Sequence, residues 1–241
     1  MLLWKTMEEK DGFLQIPTCH VPYNVEVEFL YVRQSYKDLH KLISTHYAEN
    51  NVIITGTPGV GKSLFALYEL YIAIKGGKTV VFHYQPTHTT SVFDNRKIAF
   101  ISDAVEPYLK EQDTVYLHDA GTKLLAQYRS YRGRILVFSS PERTNYAEVQ
   151  KKSGTIMLYM PTWSWSEICL VIPKTKINQA MTQEMFDKFG GVPRYIFIEP
   201  LIARTQMNQM LDDMVTSEIV SPDFLLSLGH RSTEESHRLL H

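Results

Sequence analysis

The chain is poor in cysteine, in net charge and in long apolar runs, and each lack closes off a class of function. Among 241 residues there are two cysteines, Cys19 and Cys169. They match no metal-ligand spacing. The plain reading is two reduced, partly buried thiols, with a disulfide between them left open. The net charge is -1 and the pI about 6.8. No global basic footprint therefore points to nucleic acid or a membrane surface, and any such contact would need a local patch. No stretch is long and apolar enough to span a bilayer. The start, Met1-Leu2-Leu3-Trp4-Lys5, runs quickly into Glu8, Glu9, Lys10 and Asp11 and lacks the apolar core of a signal peptide. By itself the chain reads as soluble and intracellular. Its 44% hydrophobic content is enough for one core plus a smaller helical appendage.

What is present is a phosphate-binding loop. Val52-Ile53-Ile54-Thr55 leads into Gly56-Thr57-Pro58-Gly59-Val60-Gly61-Lys62-Ser63, the pattern G-x-x-x-x-G-K-S, and then into an apolar helical pattern from Leu64 to Ile74. Glycines at 56, 59 and 61 allow positive φ and close approach, so successive N–H groups can point at one phosphate. A helix opening near Lys62 adds its N-terminal partial positive charge. Lys62 is expected to reach the β- and γ-phosphates of ATP or GTP, and the Ser63 hydroxyl to ligate Mg²⁺. Residues Gly56 through Leu64 form the expected nucleotide-binding set. The competing reading is a Gly-rich surface turn, which leaves the flanking apolar strand and helix unexplained.

The remaining chain supplies partners for that loop. Residues 1–27 read as an irregular arm with one short strand, punctuated by Pro17, Pro22 and Asn24. Residues 28–48 read as helical in part, with Arg33 interrupting the apolar face. Arg33 is either a solvated or salt-bridged charge or a contact to base or phosphate, and the first is preferred. Strands are expected at 51–55, 78–84, 98–102, 114–119, 134–139 and 155–160, the third paired beside the second, with 85–95 polar and turn-rich. The strand at 114–119 ends in Asp119, as a Walker B strand does. An acid there can hold the water shell of Mg²⁺, against the plainer reading of a strand-terminal cap. The next residue is Ala120, where many ATPases of the additional-strand type carry a water-activating glutamate. Hydrolysis is then slow, or another residue takes that role. Alternation turns His118 to the other side of the strand and makes it structural. Ser140 follows the strand at 134–139 and is a candidate sensor if that strand neighbours the loop; the alternative is a strand stop at Pro141. Basic residues concentrate between Lys123 and Lys152, with Arg143 the candidate to reach a neighbour's nucleotide in a homo-oligomer (dimer). Beyond Pro161, helical segments near 164–171, 176–189 and 200–215 read as a lid, and Arg194, just inside a helix start, is a candidate phosphate sensor.

The fold class expected is therefore α/β: a P-loop NTPase with a parallel sheet of about five strands covered by helices, plus a small C-terminal helical lid. The expected parts are an arm and helix over 1–50, the NTPase core over 51–160 and the lid over 161–241.

Several stretches in order resemble one family. They are YVRQSY from Tyr31, the GTPGVGKS loop, YLHDAG from Tyr116, SSPERTNY from Ser139, YMPTWSWSEI from Tyr159, FGGVPRY from Phe189 and SHRLL from Ser236. Together they resemble the NTPase region of Crinkler effectors of oomycetes and fungi, itself similar to trypanosome retrotransposon hot spot proteins. The resemblance implies a P-loop NTPase of the additional-strand class. Lys62 and Ser63 would bind phosphate and Mg²⁺, Asp119 would be the Walker B acid, Ser140 a sensor, and Arg194 part of the GGVPR segment. It also implies secretion into a host cell, often reaching the nucleus, and action there on a host protein. A translocation header and a nuclease domain, found in fuller members, are not expected within these residues, so a nucleic-acid partner stays open. The residues themselves leave a second reading open, a degenerate NTPase fold acting as a non-enzymatic interaction module through its aromatic lid.

Overall fold

The computed structural model describes residues 4, 6–16, 28–94, 100–101, 105–120, 132–175 and 177–197. The expected helix at 200–215, Cys19, Lys123 and Arg129 lie outside them. The chain divides into two compact units, one of Met1–Gly56 with Gly61–Met160, the other of Thr57–Val60 with Pro161–His241.

The first unit opens with a three-stranded antiparallel sheet of β1 (Glu9–Lys10), β2 (Phe13–Gln15) and β3 (Phe29–Tyr31). The arm is thus more ordered than the expected single strand. Asp11 and Gly12 both take positive φ, 53° and 79°, as a tight two-residue hairpin turn requires. The expected helix over 28–48 begins later, as α1 (Gln34–Thr45), because Phe29–Tyr31 pairs with β2 instead. Over three residues an apolar run fits either period, and the strand partner decides.

The main sheet holds β4 (Val52–Thr55), β5 (Val80–Tyr84), β6 (Thr89–Phe93), β7 (Phe100–Ile101), β8 (Val115–Asp119), β9 (Arg134–Phe138) and β10 (Ile156–Tyr159). Its order is β10-β4-β9-β8-β5-β6-β7. The first five of these run parallel, and β6 and β7 extend the edge antiparallel. The α/β class with a covered parallel sheet of five strands is as expected. Two local expectations are corrected. Residues 85–95 contain a strand, since Thr89, Thr90, Val92 and Phe93 are β-branched or aromatic and pair along all of β5. The strand near 98–102 then pairs with β6 and not with β5.

Alternation sorts the sheet's two faces. Ile54, Phe138, Asp119 and Tyr84 stand in register across β4, β9, β8 and β5, and so share one face. That face meets α2 (Lys62–Lys75), whose Phe65 packs edge-on against Phe138 at 5.7 Å. Nine of the fourteen residues of α2 are buried, on more than one side, as suits a helix between layers. Tyr36 and Leu39 of α1 are buried in turn, with Tyr36 5.1 Å from Phe65. The opposite face carries Ile53, Val81, Val92, Tyr116, Ile135 and Val137, packed with Val105, Tyr146 and Val149. Lys78 follows the helix after Gly77, whose φ of 72° supplies a left-handed stop.

The second unit contains α5 (Trp165–Val171), α6 (Gln179–Phe189) and α7 (Pro193–Ile196), the short helices α3 (Glu106–Leu109) and α4 (Ala147–Gln150) belonging to the first. Ser164 and Glu167 form a reciprocal capping box at the start of α5. The Asn178 side chain caps α6 by accepting from the Ala180 amide at 2.8 Å. Pro193 occupies the first turn of α7, where its missing N–H costs nothing. Among the described residues no helix is long and apolar enough to cross a membrane. Cys169 carries a free thiol.

Candidate phosphate-binding site

The loop between β4 and α2 has the backbone its glycines were expected to allow. Gly56, Gly59 and Gly61 stand at φ 144°, 90° and 102°. A side chain at Gly56 would place its Cβ 2.8 Å from the Met160 carbonyl oxygen, so sterics as well as φ demand glycine there. Lys62 is the first residue of α2, and its ammonium donates to the Gly56 carbonyl at 2.6 Å, arching over the loop. Ser63 and Leu64 follow on the same helix, Ser63 exposed.

The tip of the loop, Thr57, Pro58, Gly59 and Val60, belongs to the second unit. There the Trp163 indole Nε1 donates to the Val60 carbonyl at 2.8 Å. A Cβ on Gly59 would meet the Cβ of Arg194 at 2.7 Å and its Nε at 3.3 Å, so the exposed Arg194 side chain runs past the tip. In the first unit the Tyr36 hydroxyl donates to the Gly61 carbonyl at 2.9 Å.

Asp119 ends β8, two strands from β4, with β9 between them. At the usual strand spacing that separation is about 10 Å. Asp119 is level with Phe138 and Ile54 and faces α2, so the acid and the helix that begins at Lys62 share one side of the sheet. It is buried. Burial first, and the Asp119 carboxylate second, push the Tyr84 hydroxyl above its ordinary range. Ala120 packs against the opposite apolar cluster. His118 also lies on that opposite side. Its ring stacks on His83 at 5.2 Å, and burial, then the neighbouring His83, pull it down to about 3. The alternation expected for His118 is what the fold contains.

Because β9 neighbours β4, the condition set for Ser140 is met. The Ser139 amide continues that pairing to the Ile54 carbonyl at 2.9 Å, and the Ser140 hydroxyl accepts from Asn145 Nδ2 at 3.1 Å. Arg143 is exposed on a short 3-10 turn. Arg33 is buried, with its guanidinium 5.8 Å from the Tyr36 ring centroid, so it is not a solvated charge. Arg134 has a structural task, donating to the Ile43 and Tyr47 carbonyls at 2.8 and 3.1 Å and to Asn50 O at 3.2 Å. Sequence reasoning missed Tyr36 and Trp163 as partners of the loop. Both bond backbone carbonyls, 25 and 103 residues away, for which no side-chain pattern exists.

No family model matches the chain. Crinkler effector protein 15 and Crinkler effector protein 16 of Phytophthora infestans are each 31% identical to it over 183 residues, which covers 69% of this chain and 28% of theirs. The chain thus spans less than a third of the length of these relatives. Among solved structures, the Thermotoga maritima RuvB Holliday junction branch migration motor aligns with a TM-score of 0.41 and 15% identity, over 84% of this chain and 70% of its own. A chain of the Escherichia coli MS115-1 HORMA:CdnC:Trip13 complex aligns at 0.29 and 11%, over 63% and 67%. Both scores are low, and the fold stands on its strand order and loop. Over the matched stretch the chain is similar in sequence to the two Crinkler effector proteins.

Proposed function

We propose that the chain is the nucleoside-triphosphate-hydrolysing, Mg²⁺-dependent module of a Crinkler-like effector that acts inside a host cell. The observation that supports this best is the seating of the loop, with three glycines at positive φ, Lys62 arching back to Gly56, and Asp119 on the side of the sheet that α2 covers. The substrate is ATP or GTP. Backbone amides between Gly56 and Leu64, Pro58 apart, and the start of α2 hold the phosphates, and the Lys62 ammonium neutralises the charge that grows on the γ-phosphate during in-line attack by water. Arg194 and Ser140 are assigned sensor roles. Ser63 and Asp119 would hold Mg²⁺. One hydroxyl and one carboxylate suit an ion that keeps several waters and takes its remaining ligands from phosphate. Among the described residues no group of three or more His, Cys, Asp or Glu offers a rival metal site. When bound, the ion supplies Lewis-acid stabilisation of the phosphate oxygens.

The resemblance extends the proposal to secretion, to a host nucleus and to a host protein partner, and Arg143 to a dimer in which one copy's arginine completes the other's site. A second reading is a degenerate NTPase fold that binds a host protein without turnover, favoured by Ala120 after Asp119 and by its packing into the core. Phosphate release by the purified chain with Mg²⁺ and ATP or GTP tests the choice. Release that is lost in Lys62→Ala supports hydrolysis; release that persists undiminished in Lys62→Ala rejects it.

A further inference from the structure

Two consecutive carbonyls of the loop each accept a hydrogen bond from an aromatic side chain. The Trp163 indole reaches Val60 O at 2.8 Å, and the Tyr36 hydroxyl reaches Gly61 O at 2.9 Å. Each bond lies within one unit. In a trans peptide the carbonyl and the amide N–H point in opposite directions across one rigid plane. A carbonyl pinned at Val60 therefore aims the Gly61 N–H, and one pinned at Gly61 aims the Lys62 N–H. Gly61 sits at φ 102° and ψ 26°, and glycine by itself holds no such orientation. Locally the Phe65 amide donates to the same Gly61 carbonyl at 3.0 Å and the Val60 amide to Thr57 O at 3.3 Å, and the two aromatic donors add to these a constraint from distant segments.

Both donors are themselves immobilised. Tyr36 is fully buried against Phe65, with the Arg33 guanidinium over its ring. Trp163 is 5% exposed, and its backbone amide donates to Gly191 O at 2.7 Å. A Cβ on Gly191 would fall 1.8 Å from the Trp163 carbonyl oxygen, so the GGVPR glycine is what lets the tryptophan sit there.

We propose that Tyr36 and Trp163 are positioning residues that pre-set the Gly61 and Lys62 amides toward the triphosphate. This rests on the nucleotide reading above and deepens it, since it assigns recognition to the phosphate chain rather than the base. Preset donors spare the ligand the cost of ordering the loop.

The test uses the full chain with Tyr36→Phe and Trp163→Phe, each of which removes the donor and keeps a ring. Calorimetry reads affinity for MgATP, MgGTP and inorganic tripolyphosphate, and amide hydrogen exchange reads residues 57–63 against β4 and β9. Loss of one neutral hydrogen bond predicts binding about three- to tenfold weaker. The expected result is the same factor for all three ligands, with faster exchange confined to the loop. Variants that bind tripolyphosphate as wild type does overturn this inference and leave the nucleotide reading standing. Weaker binding accompanied by faster exchange throughout β4 and β9 also overturns it, as loss of structure. A wild-type chain that binds none of the three ligands overturns both.

Discussion

His118 of β8 lies face to face with His83 of β5, ring centroids 5.2 Å apart and planes 18° apart, in the face of the sheet away from α2. His83 bonds Thr90 Oγ1 at 2.9 Å and Gln85 Oε1 at 3.1 Å. Two cations cannot share that space, and burial disfavours charge on either ring.

A pH dependence follows with a definite sign. Burial, aided by His83, pulls His118 down to about 3, and burial also lowers His83, opposed by its bond to Gln85 and aided by His88. The unfolded chain takes up protons near pH 6.5 that the fold refuses, so stability falls as pH drops below about 6.5. His40 runs the other way. Its hydrogen bonds to Glu69, at 3.0 and 3.2 Å, raise it against the pull of burial and of Arg134. Its contribution is fully present below the unfolded value and is lost as pH rises through the raised one. Urea midpoints measured from pH 4.5 to 8.5 are expected to fall on the acid side. His118→Phe is expected to flatten that limb by up to about one proton. An unchanged acid slope in this variant would count against the assignment.

Gly191 and Gly59 are expected to differ in what alanine does to them. At Gly191 the added Cβ meets Trp163 backbone at 1.8 Å, which cannot yield without moving the chain. At Gly59 it meets the Arg194 side chain at 2.7 Å, at a φ of 90°. Gly191→Ala should cost about 4 kcal/mol or more, and Gly59→Ala about 1–3 kcal/mol, chiefly backbone strain. Urea unfolding followed by tryptophan fluorescence measures both, and equal losses would contradict the steric ranking.

Arg134 joins β9 to the end of α1 through three carbonyls. No basic side chain of α1 itself lies in its last turn. Arg134→Met keeps much of the stem and removes the donors, taking the arginine's bond from Ile43 O and Asn50 O, while Tyr47 O keeps the Asn50 amide at 3.1 Å. The expected loss is about 2–4 kcal/mol, with the faster hydrogen exchange centred on residues 34–50. Exchange that rises equally in β5 and β8 would show that the link is not local.

Lys62 and Asp119 should separate binding from turnover. Lys62→Ala is expected to lose both triphosphate affinity and phosphate release. Asp119→Asn is expected to keep binding in the absence of Mg²⁺ while release falls on the order of a hundredfold. Equal binding and release in all three proteins would remove both residues from the site.

Some of this was legible in the chain and some was not, for reasons that particular residues make plain. The loop could be read because its chemistry is local: glycines for φ, a lysine and a serine at the start of a helix. The apolar runs at Val52, Val80, Val115, Arg134 and Ile156 could be read because strands buried on both faces have few polar interruptions. The hairpin at Asp11-Gly12 carried its signal in the Asp-Gly pair, and it was missed because the flanking strands are two and three residues long. Strand β6 was missed because threonine is polar by count and β-forming by shape.

The sequence by itself determined where positive φ is tolerated beside a lysine and a serine and which runs must be buried, since φ preference, charge and hydropathy are properties of neighbours along the chain. Only the tertiary structure decided that β9 separates β4 from β8, that Asp119 faces α2 while His118 does not, and that Tyr36 and Trp163 close on the loop. Those are pairings between distant segments in which at least one partner is a backbone group, the same at every residue, so the order of the side chains does not name the partner.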